Sequence, residues 1–292
     1  MVTTKTKRII ATEIAKRSQN YSSDAAFSRA YGISPAQLSR IKKGEINRVV
    51  SDENYLRIAN ELGIDLRGYE WRTAKTPTYK TIYTQLKACQ DNSISAMMID
   101  EAGVGKTHAA KEYVKHNANA VYIDCSQVKS KQLLIKEITK KFGVNIKGRY
   151  AEVYRDLVFY LNTCDNPPLI ILDEAGDLQY AAFLELKALW NATEMQCGYY
   201  MMGADGLRNK IERNINNNKV GYTELFRRFG GRFQQSSPIG KEAGDQFHKE
   251  QLAAVAKANG MNNIQQLYAK TEGSLTRLKI EYLKMKRKEI AA

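Results

Sequence analysis

A chain of 292 residues, 43% hydrophobic and 26% charged, is long enough for a sizeable core and two domains, and its composition excludes a disordered or fibrous class. Four widely spaced cysteines (Cys89, Cys125, Cys164, Cys197) without a C-x-x-C pair argue against a disulfide framework or a zinc site. The N-terminus MVTTKTKRII has no apolar signal core and no run nears the ~18 residues of a membrane span, so a reducing cytoplasm is the expected setting. The net charge of +14 sits at the two ends: residues 1–70 carry 12 Lys/Arg against 8 Asp/Glu and residues 206–292 carry 17 against 8, while 71–205 is nearly balanced. An excess of that size points to a polyanionic partner, with nucleic acid the default.

Residues 9–68 read as short helices. In DAAFSRAYGISPAQLSRIKKGE, Ala26, Phe27 and Ala30 line one apolar face, Gly32 permits a sharp turn and Ile33 plugs the gap between two helices. Ser34 is a good N-cap and Pro35 suits the first helical position. Leu38 and Ile41 then point inward, which leaves Gln37, Arg40 and Lys43 facing outward from a helix over 35–43 that Gly44 stops. That is a helix-turn-helix pattern, in which Gln37, Arg40 and Lys43 are the candidates for base edges and phosphates in a DNA groove. NYLRIANELGI adds a further amphipathic helix.

The Thr- and Pro-containing stretch Arg67 to Thr81 reads as a joint between domains. Beyond it the chain alternates. ISAMMID, AVYIDC, PLIILDE and GYYMMGA are apolar strand-like runs, and helical patterns begin at Lys106, in SKQLLIKEITKKFG and in AEVYRDLVFYLN. Such alternation predicts a parallel sheet covered on both faces. A last strand is expected after Arg232, a mobile loop at Asn214–Asn218, and a helical tail from about Lys241.

The chemistry gathers at two strand ends. SAMMIDEAGVGKT leads a buried strand into Gly103-Val104-Gly105-Lys106-Thr107, with His108 next in the same helix. Glycines let successive N–H groups point at phosphate oxygens, and the helix N-terminus adds about half a positive charge. Lys106 is placed to bridge the β- and γ-phosphates of ATP and Thr107 to hold Mg²⁺. The pattern G-x-x-x-x-G-K-[ST] would have its first glycine at position 100, where Asp100 stands, followed by Glu101. Asp tolerates turn geometries well, and both carboxylates are expected to point away from the phosphates. Downstream, PLIILDEAGD ends an apolar strand in Asp173-Glu174: Asp173 for the metal and Glu174 to polarise the attacking water. In ELFRRFGGRF, Arg227, Arg228 and Arg232 are candidates for an arginine delivered to a neighbour's γ-phosphate, and Arg277 in GSLTRL for a lid contact to the nucleotide. GYYMMGAD lacks the Asn or Thr that often senses the γ-phosphate, with Asp205 the nearest polar residue.

Together these motifs resemble the AAA+ ATPases, and more closely the transposition regulators typified by the phage Mu B protein and its TniB/TnsC-like relatives. The resemblance spans the chain and rests on GVGKT, LIILDEAGDL, GADGLRNKI with ELFRRFGGRF, and GSLTRL. It implies an α/β fold: an AAA+ P-loop parallel sheet with helices on both faces over residues 71–240, an all-α helix-turn-helix domain before it (1–70) and a small helical lid after it (241–292). It also implies an ATPase that assembles as a helical filament or ring on double-stranded DNA with little sequence preference, delivers that DNA to a cognate transposase and stimulates it; the departures at Asp100 and in GYYMMGAD fit slow hydrolysis. By position Arg228 is the first choice for the arginine finger and Arg227 the second. Lys129 and Lys131, opening the helix after VYIDCS, are the candidates for phosphate contacts inside the oligomer, with Lys147 and Arg149 nearby. Two other readings share the motifs: a helicase loader of the DnaC/IstB type, and a nucleotide-switched helix-turn-helix transcriptional regulator.

Overall fold

The computed structural model describes residues 2–66 and 69–291, with side chains through Glu289. Four helices come first: α1 (Thr4–Ser18), α2 (Asp24–Tyr31), α3 (Pro35–Lys42) and α4 (Asp52–Leu62). Each starts on a Ser or Thr side chain that accepts a backbone N–H of the first turn: Thr3, Ser23, Ser34 and Ser51. Gly32, left-handed at φ 62°, ends α2 and swings the chain into α3. Ile14, Phe27, Leu38, Ile41, Tyr55 and Ile58 fill the core between these helices, each burial contributing about 1.5–3 kcal/mol. The unit is seated on the rest of the molecule. Asn20 Nδ2 donates to the carbonyls of Val114 and Lys115, Arg29 Nε donates to Gly143 O at 2.6 Å, and the Asn119 N–H donates to Asn20 O.

Arg67 and Gly68, the start of the expected joint, lie outside the described residues. The rest of that stretch is structured. Thr76 caps and Pro77 opens α5 (Pro77–Asp91), and Trp71 and Ala74 pack against the C-terminal helices.

Next come β1 (Ser95–Ile99), α6 (Lys106–His116), β2 (Ala120–Asp124), α7 (Lys131–Lys141), α8 (Tyr150–Thr163) and β3 (Leu169–Asp173). They are followed by α9 (Tyr180–Ala192), β4 (Gly198–Gly203), α10 (Asp205–Asn216), α11 (Tyr222–Arg228), α12 (Lys241–Ala258), α13 (Ile264–Thr271) and α14 (Leu275–Ala291). The strands pair in parallel in the order β1-β4-β3-β2. Alternation sends Met97, Ile99, Val121, Ile170, Leu172 and Met201 into one core under α7 to α11, and Ala96, Met98, Ile171, Tyr200 and Met202 into another under α5 and α6. Helices thus cover both faces of the sheet. Register pairs Ile99 with Gly203 and Asp124 with Asp173, so the loops leaving all four strands emerge at one edge.

Two expectations are corrected. The last strand is reduced to one bridge: Gln234 exchanges backbone hydrogen bonds with Met97 and Ile99 alongside β1, and the chain then leaves the sheet. Asn214–Asn216 belong to the last turn of α10 rather than to a mobile loop, because the Asn214 amide donates back to Lys210 O. Among the described residues no helix is long and apolar enough to cross a membrane.

Candidate functional site

The loop between β1 and α6 turns through two left-handed glycines, Gly103 (φ 82°) and Gly105 (φ 102°), conformations that residues with a Cβ rarely adopt. Asp100, where the usual pattern has glycine, does not occupy a left-handed conformation, so turn tolerance is not why it fits. Its side chain is committed elsewhere. Only 5% exposed, the carboxylate accepts from the backbone N–H groups of Ser236, Ser237 and Glu101 and from both serine hydroxyls. Burial pushes this carboxyl up, but the bonds from Ser236, Ser237 and Glu101 outweigh it and hold the group below the usual carboxylate range. Asp100 therefore pins the 234–237 segment beside β1. Glu101 also turns away from the loop, to His248 Nε2 on α12 at 3.0 Å.

Lys106, 7% exposed, points its ammonium back into the loop, donating to Asp100 O at 2.6 Å and Glu101 O at 2.7 Å. Burial lowers its pKa against the opposing pull of Asp100, Asp173, Glu174 and Asp205. Thr107 Oγ1 donates to Asp173 Oδ2 at 2.6 Å, joining the loop after β1 to the end of β3. Asp173, 1% exposed, also accepts from Tyr122 Oη at 2.8 Å and from the Glu174 N–H. Glu174 is exposed at the strand end in a left-handed conformation, φ 50°. Burial first, then Asp173, raises its pKa. Among the described residues no three His, Cys, Asp or Glu gather as a metal cage. Thr107 and Asp173 instead offer two adjacent oxygens, a donor set suited to Mg²⁺, which keeps most of its water.

These groups face a cleft of about 430 Å³. It is lined by Gly103, Gly105, Lys106, Thr107, His108 and Glu174 at the strand ends, by Trp71, Ala74 and Tyr79, and by Val255, Leu275, Thr276 and Lys279 of the C-terminal helices, with Lys279 Nζ over the Trp71 ring. His108 lies 3.0 Å from Thr73 Oγ1 (Nε2 to Oγ1), its pKa lowered by burial. The C-terminal helices touch the loop directly: the Leu275 N–H donates to Gly103 O. Arg277, the expected lid contact, is not among the lining residues. It is exposed and paired with Glu272, and one helical turn's geometry brings Thr276 and Lys279 to the cleft instead. The aromatic lining was missed because Trp71 and Tyr79 read as linker; the Tyr-Glu-Trp triplet in a polar stretch was the available signal.

The arginines lie at the opposite end of the sheet. Arg228 stacks on Trp190 (5.0 Å), and Trp190 Nε1 bonds Ser95 Oγ at the start of β1, a whole strand away from Lys106. Its Nη1 is buried without a partner, while Arg227 and Arg232 are exposed. Asp205 opens α10 at the cleft's rim, beside the lining residue Ala204. Of the DNA candidates, Gln37 is already used: Oε1 accepts the Ser34 N–H and Nε2 donates to Val49 O at 2.9 Å, closing the helix N-terminus. Arg40 is exposed and paired with Glu45, and Lys43 is exposed at the end of α3. Lys129 is exposed but bonded to Asp177 at 3.2 Å, and Lys131 lies over the Tyr150 ring. Lys147 is exposed, and the Arg149 N–H donates to Glu152 at the start of α8.

Comparison with known proteins agrees with this geometry. A family described as AAA domain matches residues 101–211. The chain is 29% identical over 168 residues to the ATP-dependent target DNA activator B of Escherichia phage Mu (55% of this chain, 50% of that one). It is 28% identical over 206 residues to the protein of the same name from Escherichia phage D108 (67% and 60%). A third relative, the Mu-like prophage FluMu DNA transposition protein B of Haemophilus influenzae, is 26% identical over 188 residues (64% and 61%). The matches span between half and about three-fifths of the length of these curated relatives. Residues 101–211 thus match the AAA domain family, and over more than half its length the chain is similar to the B proteins of Mu-like phage transposition.

Proposed function

We propose that this protein is an ATP-dependent DNA-binding regulator of transposition. It binds and slowly hydrolyses ATP, assembles in the ATP-bound form as a filament or ring on double-stranded DNA, and presents that DNA to a cognate transposase whose strand transfer it stimulates. The observation that carries the reading is the 2.6 Å contact between Thr107 Oγ1 and Asp173 Oδ2, with Lys106 and Glu174 facing the same cleft. An oxygen pair flanked by a buried ammonium and a carboxylate at the strand end suits a nucleoside triphosphate with its metal. The names of the phage relatives, ATP-dependent target DNA activator B, support the same conclusion for their shared region.

In this reading the backbone N–H groups around Gly103 and Gly105 grip the phosphates, and Lys106 exchanges the carbonyls of Asp100 and Glu101 for β- and γ-phosphate oxygens. Thr107 and Asp173 would hold Mg²⁺, which neutralises phosphate charge when bound. Glu174 takes the proton of the attacking water; its raised pKa brings it closer to the pH at which it works as a base. Trp71 and Tyr79 offer flat apolar surface for the base. Arg228 lies too far from its own cleft to serve it and acts on the γ-phosphate of an adjoining copy. Arg40 and Lys43 on the α2–α3 helix-turn-helix, with Lys129 and Lys131, contact DNA phosphates, so affinity falls steeply with salt.

Gel shift on random-sequence duplex, with ATP against ADP, tests the proposal. ATP-dependent retention of any sequence is expected. Nucleotide-independent binding to one palindrome would contradict it in favour of an operator-binding regulator, and preference for single strands in favour of a helicase loader.

A further inference from the structure

The turn that carries Glu174 has little holding it from within. Glu174 is left-handed, and the three-residue helical turn after it, Ala175–Asp177, is closed by two backbone bonds, Asp177 N–H to Glu174 O (3.0 Å) and a longer one from Leu178 N–H to Ala175 O (3.3 Å). A non-glycine residue in that conformation persists only where its surroundings enforce it. Beside the buried Ala175 and Leu178 and the Lys129–Asp177 ion pair, a further enforcing group comes from α10. Lys210 Nζ donates to Gly176 O at 2.7 Å and to Leu178 O as well, so one ammonium ties both sides of the turn. The same Nζ also lies over the Phe183 ring, 5.1 Å from the centroid, a cation–π contact that adds to its placement. The turn also lies flat on α10: a methyl group added to Gly176 would stand 3.3 Å from the backbone of Leu207.

We propose that Lys210 is a positioning residue for ATP hydrolysis, clamping the turn so that the Glu174 carboxylate stays aimed into the cleft. This rests on the ATPase reading above. Charge-assisted bonds from an ammonium to two carbonyls are stronger than neutral ones, and half-burial shields them from water. Burial lowers the lysine's pKa, while Asp177 on the same turn opposes that shift and favours the charged form. Because α10 leaves β4 at Ala204, which lines the cleft, the clamp also ties the acid to the rim on which the γ-phosphate would rest.

The test measures Mg·ATP affinity by calorimetry, steady-state turnover and thermal unfolding for the full chain and for Lys210→Met, Lys210→Arg, Gly176→Ala and Glu174→Gln. Lys210→Met is expected to bind ATP within about twofold of the parent while kcat falls roughly 10- to 100-fold, and Lys210→Arg to recover most of that turnover. A merely structural lysine would lower affinity and kcat together. A kcat within about twofold of the parent in Lys210→Met, or loss of affinity in step with kcat, would overturn the assignment. Should Lys210→Met not fold, Gly176→Ala decides by lifting the turn from α10: reduced kcat at unchanged affinity supports the clamp, and unchanged kcat overturns it. Normal turnover in Glu174→Gln would remove the ATPase reading itself. A stalled Glu174→Gln beside a normal Lys210→Met would remove only the clamp.

Discussion

Two aspartates stand at the same edge of the sheet, one just after β1 and one ending β3, and they have opposite tasks. Asp100 is saturated: five donors from Ser236, Ser237 and Glu101 occupy its carboxylate. Asp173 is bound by three, and one of them, the Thr107 hydroxyl, is the partner with which it would share a metal. An acid in a phosphate loop is compatible with an anionic ligand when its charge is already spent on the protein's own N–H and O–H groups. The loop after β1 is thus a structural anchor at Asp100 and, from Gly103 onward, the proposed binding surface.

Glu174→Gln is expected to break the functional half of this comparison most severely. Nucleotide binding is retained and turnover drops about 10²- to 10⁴-fold, as read by phosphate release, leaving longer-lived assemblies on DNA. Arg228→Ala is expected to leave ATP binding intact and lower turnover by about 10³-fold, with rescue when mixed with a copy bearing Arg228 and Glu174→Gln, which binds ATP and assembles but does not turn it over. Full activity in Arg228→Ala would move the role to Arg227 or Arg232. Asp100→Ala attacks the structural half: it removes the acceptor of three backbone N–H groups and two serine hydroxyls. A loss of about 2–4 kcal/mol in denaturant unfolding is expected, with any fall in ATP affinity no larger than the loss of folded protein explains.

The smallest expected effect is on pH. The Asp100 pKa is depressed in the folded protein, so its contribution is fully present above the unfolded value, about 3.9, and is lost as pH falls through the lower folded value. Stability of the parent should therefore decline through that acid window by more than that of Asp100→Ala. Parallel acid titrations would remove Asp100 from the account.

The fold was legible in the sequence because the strands are short apolar runs separated by helical patterns, and burial on both faces leaves no other reading of SAMMI, AVYID, LIILD and GYYMMG. Gly103 through Thr107 with Asp173 and Glu174 was legible as a cluster because a parallel sheet sends every strand end to one edge. What escaped depends on long-range contacts. No local pattern pairs Asp100 with Ser236 and Ser237, more than 130 residues on. Gln37 looked outward by helical phase, yet its position three residues after Ser34 made it the reciprocal half of a helix cap. Arg277 and Lys279 differ by two positions on α14, and only the packing of Leu278 in the core decides which of them borders the cleft. Lys210 lies within GADGLRNKI but had no assigned role there, since a lysine that bonds carbonyls of a distant turn looks in sequence like any surface lysine.

The central claim is that a triphosphate displaces the loop's own carbonyls from the Lys106 ammonium while Thr107 and Asp173 meet its metal. Isothermal titration of the full chain with ATP, with and without Mg²⁺, and of Lys106→Ala in parallel, tests it most directly. Magnesium-dependent saturable binding by the parent and none by a folded Lys106→Ala is the predicted result; equal binding by both would contradict it.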